Sequence, residues 1–109
     1  MNPLELRRYL TAEGREPFTE WLRGLRDRTA RARIETRLTR VALGNFGDSK
    51  AVGDGVQELR IDHGPGYRVY YARHGHTVVL LLIGGDKHSQ PADIEQAIGF
   101  WRDFKRRQT

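Results

Sequence analysis

The chain has 109 residues, which predicts a single domain, and its 19 Lys and Arg against 14 Asp and Glu give a formal net charge of +5 at pH 7. Nearly all of the cations are Arg, whose planar guanidinium suits bidentate contact with phosphate, so the charge favours a nucleic acid partner, with an acidic protein surface as the alternative. The chain contains no cysteine, which excludes disulfides, thiol nucleophiles and Cys-based zinc sites.

The first residues, MNPLELRRYLTAEG, lack the continuous apolar region of a secretory signal peptide, and no run is long enough to span a bilayer. We therefore expect a soluble cytoplasmic protein that does not bind membranes. Leu4, Leu6 and Tyr9 give a weakly alternating pattern, which predicts a first strand that ends before TAEGRE.

Two helices are predicted next. Pro17 suits the first turn of a helix. The apolar residues after it recur at helical spacing and form one stripe: Phe18, Trp21, Leu22 and Leu25. A second helix is predicted over residues 30–43, and Gly44 ends it. Its solvent side carries a row of arginines, which could simply be solvated or could contact RNA or a partner: Arg31, Arg33, Arg37 and Arg40.

The C-terminal half changes its period. NFGDSKAVGDG has no usable period and is predicted to be a loop, with Lys50 near its middle. VQELRID, GYRVYYAR and TVVLLLIG alternate with a period of two, and their short connections predict an antiparallel meander whose last run is central. From Pro91 the pattern is helical again. The predicted fold is α+β, β-α-α-β-β-β-α, with a mainly antiparallel four-stranded sheet packed against helices in one domain, residues 1–109.

Strand alternation divides the meander into two faces. The apolar set that should lie against the helices is Leu59, Ile61, Tyr67, Val69 and Tyr71. The opposite face carries Glu58, Arg60, Arg68 and Tyr70, and we expect nothing to cover it. After the last strand, the segment GGDKHSQPADI would bring Asp86, Lys87 and His88 to the rim of this face. The two glycines would end the strand and let these side chains point over the face.

These polar residues match the requirements of RNA cleavage without a metal. The reaction needs a base for the ribose 2′-hydroxyl, an acid for the leaving 5′-oxygen and cations around the transition state. We assign Glu58 as the base and His88 as the acid, because an imidazole changes its charge near neutral pH. Arg68 would hold the phosphate and Lys87 would add a second charge, while Arg60 would contact the RNA.

Each assignment has a structural alternative. Glu58 and Arg60 could form a plain cross-strand or surface ion pair. His88 could simply lie in the turn before the helix, and Lys87 could be a solvated cation without a function. Asp86 fits a turn residue that hydrogen-bonds the backbone better than it fits a catalyst.

Further RNA contacts are predicted around this face. Tyr70 could stack on a base, or it could pack across the strands. Lys50 in the predicted loop and Lys105 and Arg106 in the C-terminal tail would contact RNA, although the tail charges also suit the helix dipole. HGH at residues 74–76 is a weak metal signal without a third ligand, so we predict no metal and no cofactor.

GDGVQELRI, GPGYRVYY and GGDKHSQPADI, in this order and spacing, resemble the RelE/ParE toxin superfamily, in particular its phage-derived, HigB-like branch of addiction module killer proteins. The resemblance spans most of the chain. It implies a type II toxin that is neutralised by a small cognate antitoxin, commonly a helix-turn-helix protein encoded beside it. Operator DNA would be bound only through the antitoxin complex.

Ribosome-dependent members of the superfamily cut mRNA in the decoding site, and the Arg of their GYR strand contacts the scissile phosphate. That residue matches Arg68, the basic residue past the last strand matches Lys87, and second-strand site positions fall near Glu58 and Arg60. RelE itself has lysines on that strand and a C-terminal Tyr without a clear counterpart here. The resemblance implies a metal-independent, ribosome-dependent mRNA endonuclease. The alternatives are a ParE-like inhibitor of DNA gyrase without nuclease activity and a repurposed member that binds only RNA or its antitoxin.

Overall fold

The computed structural model describes residues 3–108, which form a mixed sheet with helices on both faces. The elements of this part of the chain are β1 (Glu5–Arg8), α1 (Pro17–Gly24), α2 (Arg28–Ala42), β2 (Ser49–Gly53), β3 (Val56–Ile61), β4 (Tyr67–His74), β5 (Val78–Asp86), a one-turn 3-10 helix (Lys87–Ser89) and α3 (Gln90–Arg107). The strand order is β1-β5-β4-β3-β2. β1 pairs with β5 in parallel, and the other neighbours are antiparallel.

The α+β class is confirmed, but the predicted four-stranded sheet is wrong by one strand. The segment predicted to be a loop contains β2, whose Lys50 lies opposite Glu58 of β3. The sequence pattern did not predict this strand because its glycines interrupt the alternation. The pairing register also shifts between Ala51 and Gly53. The last run, β5, lies between β1 and β4, so the middle strand is β4.

Two cores lie on opposite faces of the sheet. On one face α1 and α2 pack against the sheet, with buried side chains that include Phe18, Ile34, Leu59, Tyr71 and Leu81. On the other face α3 does the same, with a core that includes Val56, Tyr70, Leu80, Leu82 and Trp101. The prediction that nothing covers this second face is wrong. The apolar stripe of α3 needs an apolar surface, and β4 and β5 present one on that side.

Gly84 and Gly85 let the helices on both faces approach β5 closely. A Cβ on Gly84 would lie 2.1 Å from the ring of Trp21 in α1. A Cβ on Gly85 would lie 1.8 Å from Oδ2 of Asp93 in α3. Both glycines are buried within the strand, so the prediction that they release the chain for the polar residues after them is wrong. They are required by packing.

No helix within residues 3–108 combines the length and the hydrophobicity needed to cross a membrane.

Candidate functional site

A polar cleft of about 310 Å³ opens at the turn between β3 and β4. Its walls are Asp48, Arg60, Asp62, Gly64, Pro65, Gly66, Arg68 and Lys87. Arg60 and Arg68 meet here because they are register partners across the two strands. Lys87 joins them because its backbone N–H donates to the carbonyl of Gly66 at 2.9 Å. Three of the predicted site residues therefore share one cleft.

Arg68 has an incompletely satisfied guanidinium. Its side chain is 13% exposed, and Nη1 donates to the carbonyl of Tyr67 at 3.2 Å. Its Nε is buried and has no hydrogen-bond partner among residues 3–108. The nearest carboxylate oxygen, Oε1 of Glu58, is 3.9 Å away, which is too far for a hydrogen bond. A guanidinium in this state retains donors for an anion in the cleft.

Glu58 lies beneath the cleft and is fully buried. Its Oε1 accepts a hydrogen bond from Nε of Arg60 at 3.0 Å, and its Oε2 accepts one from Nε2 of Gln90 at 2.8 Å. Glu58 and Arg60 therefore form the ion pair of the structural alternative, but the pair is within β3 and its carboxylate is not at the surface, because α3 covers it. Glu58 touches no solvent, hydrogen-bonds Arg60 and lies within ion-pair distance of Arg68, while Gln90 connects this carboxylate to the first turn of α3.

Tyr70 is also fully buried, directly across from Glu58 on β4. Its hydroxyl has no hydrogen-bond partner within the described residues. Burial raises the pKa of Tyr70, and the nearby negative charge of Glu58 raises it further, so the phenol stays neutral. Its ring is out of reach of a stacked RNA base, and the cross-strand packing alternative describes its position.

His88 lies exposed on the 3-10 turn and is not among the residues that line the cleft. Asp86 precedes it and caps the turn, accepting hydrogen bonds from the backbone N–H of His88 at 2.8 Å and of Ser89 at 3.2 Å. The interpretation of Asp86 as a turn residue is confirmed. The same cap fixes the path of the chain beside the cleft at Lys87.

The other predicted RNA contacts lie outside the cleft. Lys50 is exposed on β2, on the same face as Glu58. Lys105 and Arg106 lie in the last turn of α3, where Nζ of Lys105 is 5.2 Å from the ring of Trp101 and Nη2 of Arg106 donates to Asp103 at 2.9 Å. The tail cations therefore contact other residues of their own helix.

Two carboxylates of the cleft were missed by the sequence analysis. Asp48 and Asp62 are both exposed. Asp48 precedes a strand that was not predicted. Asp62 ends the predicted run VQELRID, but it was not selected with Glu58 and Arg60, and in the structure it follows β3. Among residues 3–108, no three His, Asp or Glu side chains are grouped so that they could hold a metal ion.

Arg37 was also missed as a residue that shapes the cleft. It belongs to the row of arginines on α2 that was predicted to face solvent, but its guanidinium donates to the backbone carbonyls of Arg60, Phe46 and Asp48 at 2.5, 2.9 and 2.9 Å. A Cβ on Gly47 would lie 3.1 Å from its Nη2. Arg37 therefore fixes the backbone on the β2 side of the cleft.

The opposite wall of the cleft is held by His63 and Asp27. Nε2 of His63 lies 3.0 Å from Oδ2 of Asp27, whose other oxygen caps α2 through the N–H of Ala30 at 3.1 Å. The N–H of Ala30 and the imidazole of His63 hold the pKa of Asp27 below its usual range. The Gly64–Gly66 turn is thereby anchored to the start of α2.

Residues 20–98 match the family described as phage derived protein Gp49-like (DUF891), and every residue lining the cleft lies within this range. The chain belongs to the Gp49-like family. This is a RelE-like toxin family, so membership suggests a phage-derived, toxin-like protein with a cognate antitoxin as its partner. An uncharacterized protein of Haemophilus influenzae is 51% identical over 80 residues, which cover 73% of this chain and 81% of that protein.

Proposed function

We propose that this Gp49-like protein is the toxin of a type II toxin–antitoxin system, in the HigB-like branch, and that it cleaves mRNA on the ribosome. The observation that supports this most strongly is the meeting of Arg60, Arg68 and Lys87 in one cleft. A phosphodiester offers anionic oxygens to these donors and develops further negative charge during cleavage. An inhibitor that only binds a protein does not need cations gathered around a phosphate site.

The proposed chemistry is an internal transesterification that needs no metal. The ribose 2′-oxygen attacks phosphorus, the bond to the 5′-oxygen breaks, and the products are a 2′,3′-cyclic phosphate and a 5′-hydroxyl. Arg68 and Lys87 stabilise the phosphate oxygens. Because Glu58 is buried and bonded, the 2′-hydroxyl proton passes to Asp48 or Asp62. His88 protonates the leaving 5′-oxygen from the turn beside Lys87.

In this proposal Glu58 positions the guanidiniums of Arg60 and Arg68 from below. Lys50 extends the positive charge along the same face of the sheet toward its edge. The antitoxin is a helix-turn-helix protein encoded beside the toxin, and operator DNA is bound only by their complex. The protein acts in the cytoplasm, where its substrate, mRNA on translating ribosomes, is found.

The test uses purified protein, translating ribosomes and a defined mRNA, with the RNA ends mapped. We expect cleavage with a cyclic or 3′-phosphate end, and we expect Arg68→Gln to lower the rate about 10²–10³-fold, as for removal of one preorganised donor. Arg23→Gln is the matched control, because Arg23 is exposed at the end of α1 and does not line the cleft.

Two results would reject the proposal in different ways. An intact message at saturating protein, together with loss of supercoiling by DNA gyrase, would establish the gyrase-inhibitor alternative. An intact message with no effect on gyrase, and no growth arrest when the protein is expressed without its antitoxin, would indicate a repurposed member that only binds.

A further inference from the structure

A second groove, of about 450 Å³, adjoins the cleft. It is lined by Thr29, Ala32, Arg33, Thr36, Arg37, Arg40, Ile61 and Asp62. Asp62 lines both spaces, and Ile61 follows directly on Arg60 of the cleft. The two spaces therefore meet at the end of β3 and can hold successive parts of one extended ligand.

The groove follows one flank of α2. The residues that α2 contributes recur every three or four positions, so they lie above one another along the helix. The guanidinium of Arg37 is occupied by the hydrogen bonds that it donates to backbone carbonyls. Arg33 and Arg40 are exposed, and within residues 3–108 neither guanidinium has a hydrogen-bond or ion-pair partner. The groove thus presents two available guanidiniums, seven residues apart.

The chemistry of the groove suits a nucleic acid strand better than a protein helix. Only Ala32 and Ile61 among its lining residues are apolar, whereas a helix docked in a groove needs several apolar anchor pockets. Guanidiniums and the hydroxyls of Thr29 and Thr36 are donors that bind phosphate and sugar oxygens. Both features favour a phosphodiester backbone.

We propose that the RNA strand whose scissile phosphate occupies the cleft continues into this groove, where Arg33 and Arg40 contact its neighbouring phosphates. The inference rests on the proposed function for what lies in the cleft. Asp62 stands at the junction and repels a phosphate there, so the phosphates lie on either side of it. The groove therefore acts as an extended binding site for single-stranded RNA and takes no part in the chemical step.

The test measures how salt weakens binding of a fluorescent single-stranded RNA of about 12 nucleotides, within the range that single-strand sites cover. Each phosphate contact contributes roughly 0.7 to the slope of log K against log salt for single strands. The double variant Arg33→Gln/Arg40→Gln should therefore reduce the slope by about 1.4. Arg23→Gln/Arg26→Gln, which removes the same charge from exposed positions outside both spaces, should leave the slope unchanged.

A slope that stays at the wild-type value in the groove variant, or that falls equally in the control, overturns the inference. So does wild-type protein that binds no RNA at low salt, or a groove variant that loses antitoxin capture while it binds RNA normally. If wild-type protein cleaves mRNA but the groove variant and wild type have the same salt slope, RNA binding in the groove is rejected and the proposed function is retained. If wild-type protein cleaves nothing but the slopes differ as expected, the proposed function is rejected and RNA binding in the groove is retained.

Discussion

Substitution of Gly84 by Ala tests how tightly α1 lies on the sheet. The new Cβ would lie 2.1 Å from a ring carbon of Trp21, and ordinary contact would require a retreat of about 1.3 Å. The ring packs against Phe18 and Tyr67 at centroid distances of 5.9 and 6.2 Å, so it cannot move alone. Overpacking of this kind costs about 1–3 kcal/mol, and a strand alanine recovers about 0.5–1 kcal/mol of backbone entropy. A contact of 2.1 Å is a severe clash that corresponds to the upper part of the overpacking range, so we expect net destabilisation of about 1–2.5 kcal/mol.

Glycine-to-alanine changes at two other positions serve as comparisons for the stability of Gly84→Ala. At Gly85 the clashing atoms are the terminal oxygen and the carboxyl carbon of Asp93, at 1.8 and 2.7 Å. The Asp93 side chain can rotate away with loss of the hydrogen bond from Ser89, so the loss of stability should be smaller than for Gly84→Ala. Cleavage should nevertheless fall, because the first turn of α3 carries Gln90. Gly99 lies in α3 with nothing within 4 Å of its Cβ position, so Gly99→Ala should stabilise by about 0.8–1 kcal/mol.

Thermal unfolding measures all three variants. For a domain of this size, 1 kcal/mol shifts Tm by roughly 4–8 °C, so Gly84→Ala should melt at least about 5 °C lower and Gly99→Ala several degrees higher. Equal Tm values for Gly84→Ala and wild type would refute the close approach of α1 to β5. A Gly85→Ala protein with full cleavage activity would show that the position of α3 does not control the cleft.

Three further predictions concern protons. Glu58→Gln should lower cleavage by no more than about tenfold and keep the shape of the pH–rate profile, whereas a loss of about 10³-fold would make Glu58 the base. Of Asp48→Asn and Asp62→Asn, one should lower the rate about 10²–10⁴-fold and flatten the acid limb of the profile, and wild-type rates for both would place the base elsewhere. Burial, and the hydrogen bond that its hydroxyl donates to Asp103 at 2.5 Å, raise the pKa of Tyr9 from 10.0 to about 12. Because the folded value exceeds the unfolded one, the associated stability is present below about pH 10 and is lost as pH rises to about 12. Urea unfolding over this range should show that loss in wild type and a flatter dependence in Tyr9→Phe, and identical dependences would contradict the assignment.

The sequence predicted the helices and the meander well because their periods are strong. Alternation also placed Arg60 and Arg68 together correctly, since register partners on neighbouring strands share a face. Alternation states only which side of the sheet a residue occupies, and it does not state what covers that side. For this reason Glu58 and Tyr70 were expected to be exposed, although α3 buries both.

The remaining features of the site depend on tertiary contacts that have no local signal. Arg37 has the same helical spacing as its exposed neighbours, and only the return of the backbone at residues 46–48 makes it a structural residue. Asp62 lies one position beyond a strand, where a short polar residue is common in any turn. Gln90 reaches Glu58 across a separation of 32 residues, which no periodic pattern encodes.

The parallel pairing of β1 with β5 determines how late in synthesis the fold around the cleft can be completed. Glu5 aligns with Val78, so the first strand has no partner until about 70 further residues have been synthesised. Lys87 and Gln90 follow β5 in the chain, and the cleft has neither its last cation nor its anchor before they emerge. Under the proposed function, a nascent chain therefore has no complete site until most of its length has been made. Under the same proposal, that delay gives a cognate antitoxin time to meet the new chain as it folds.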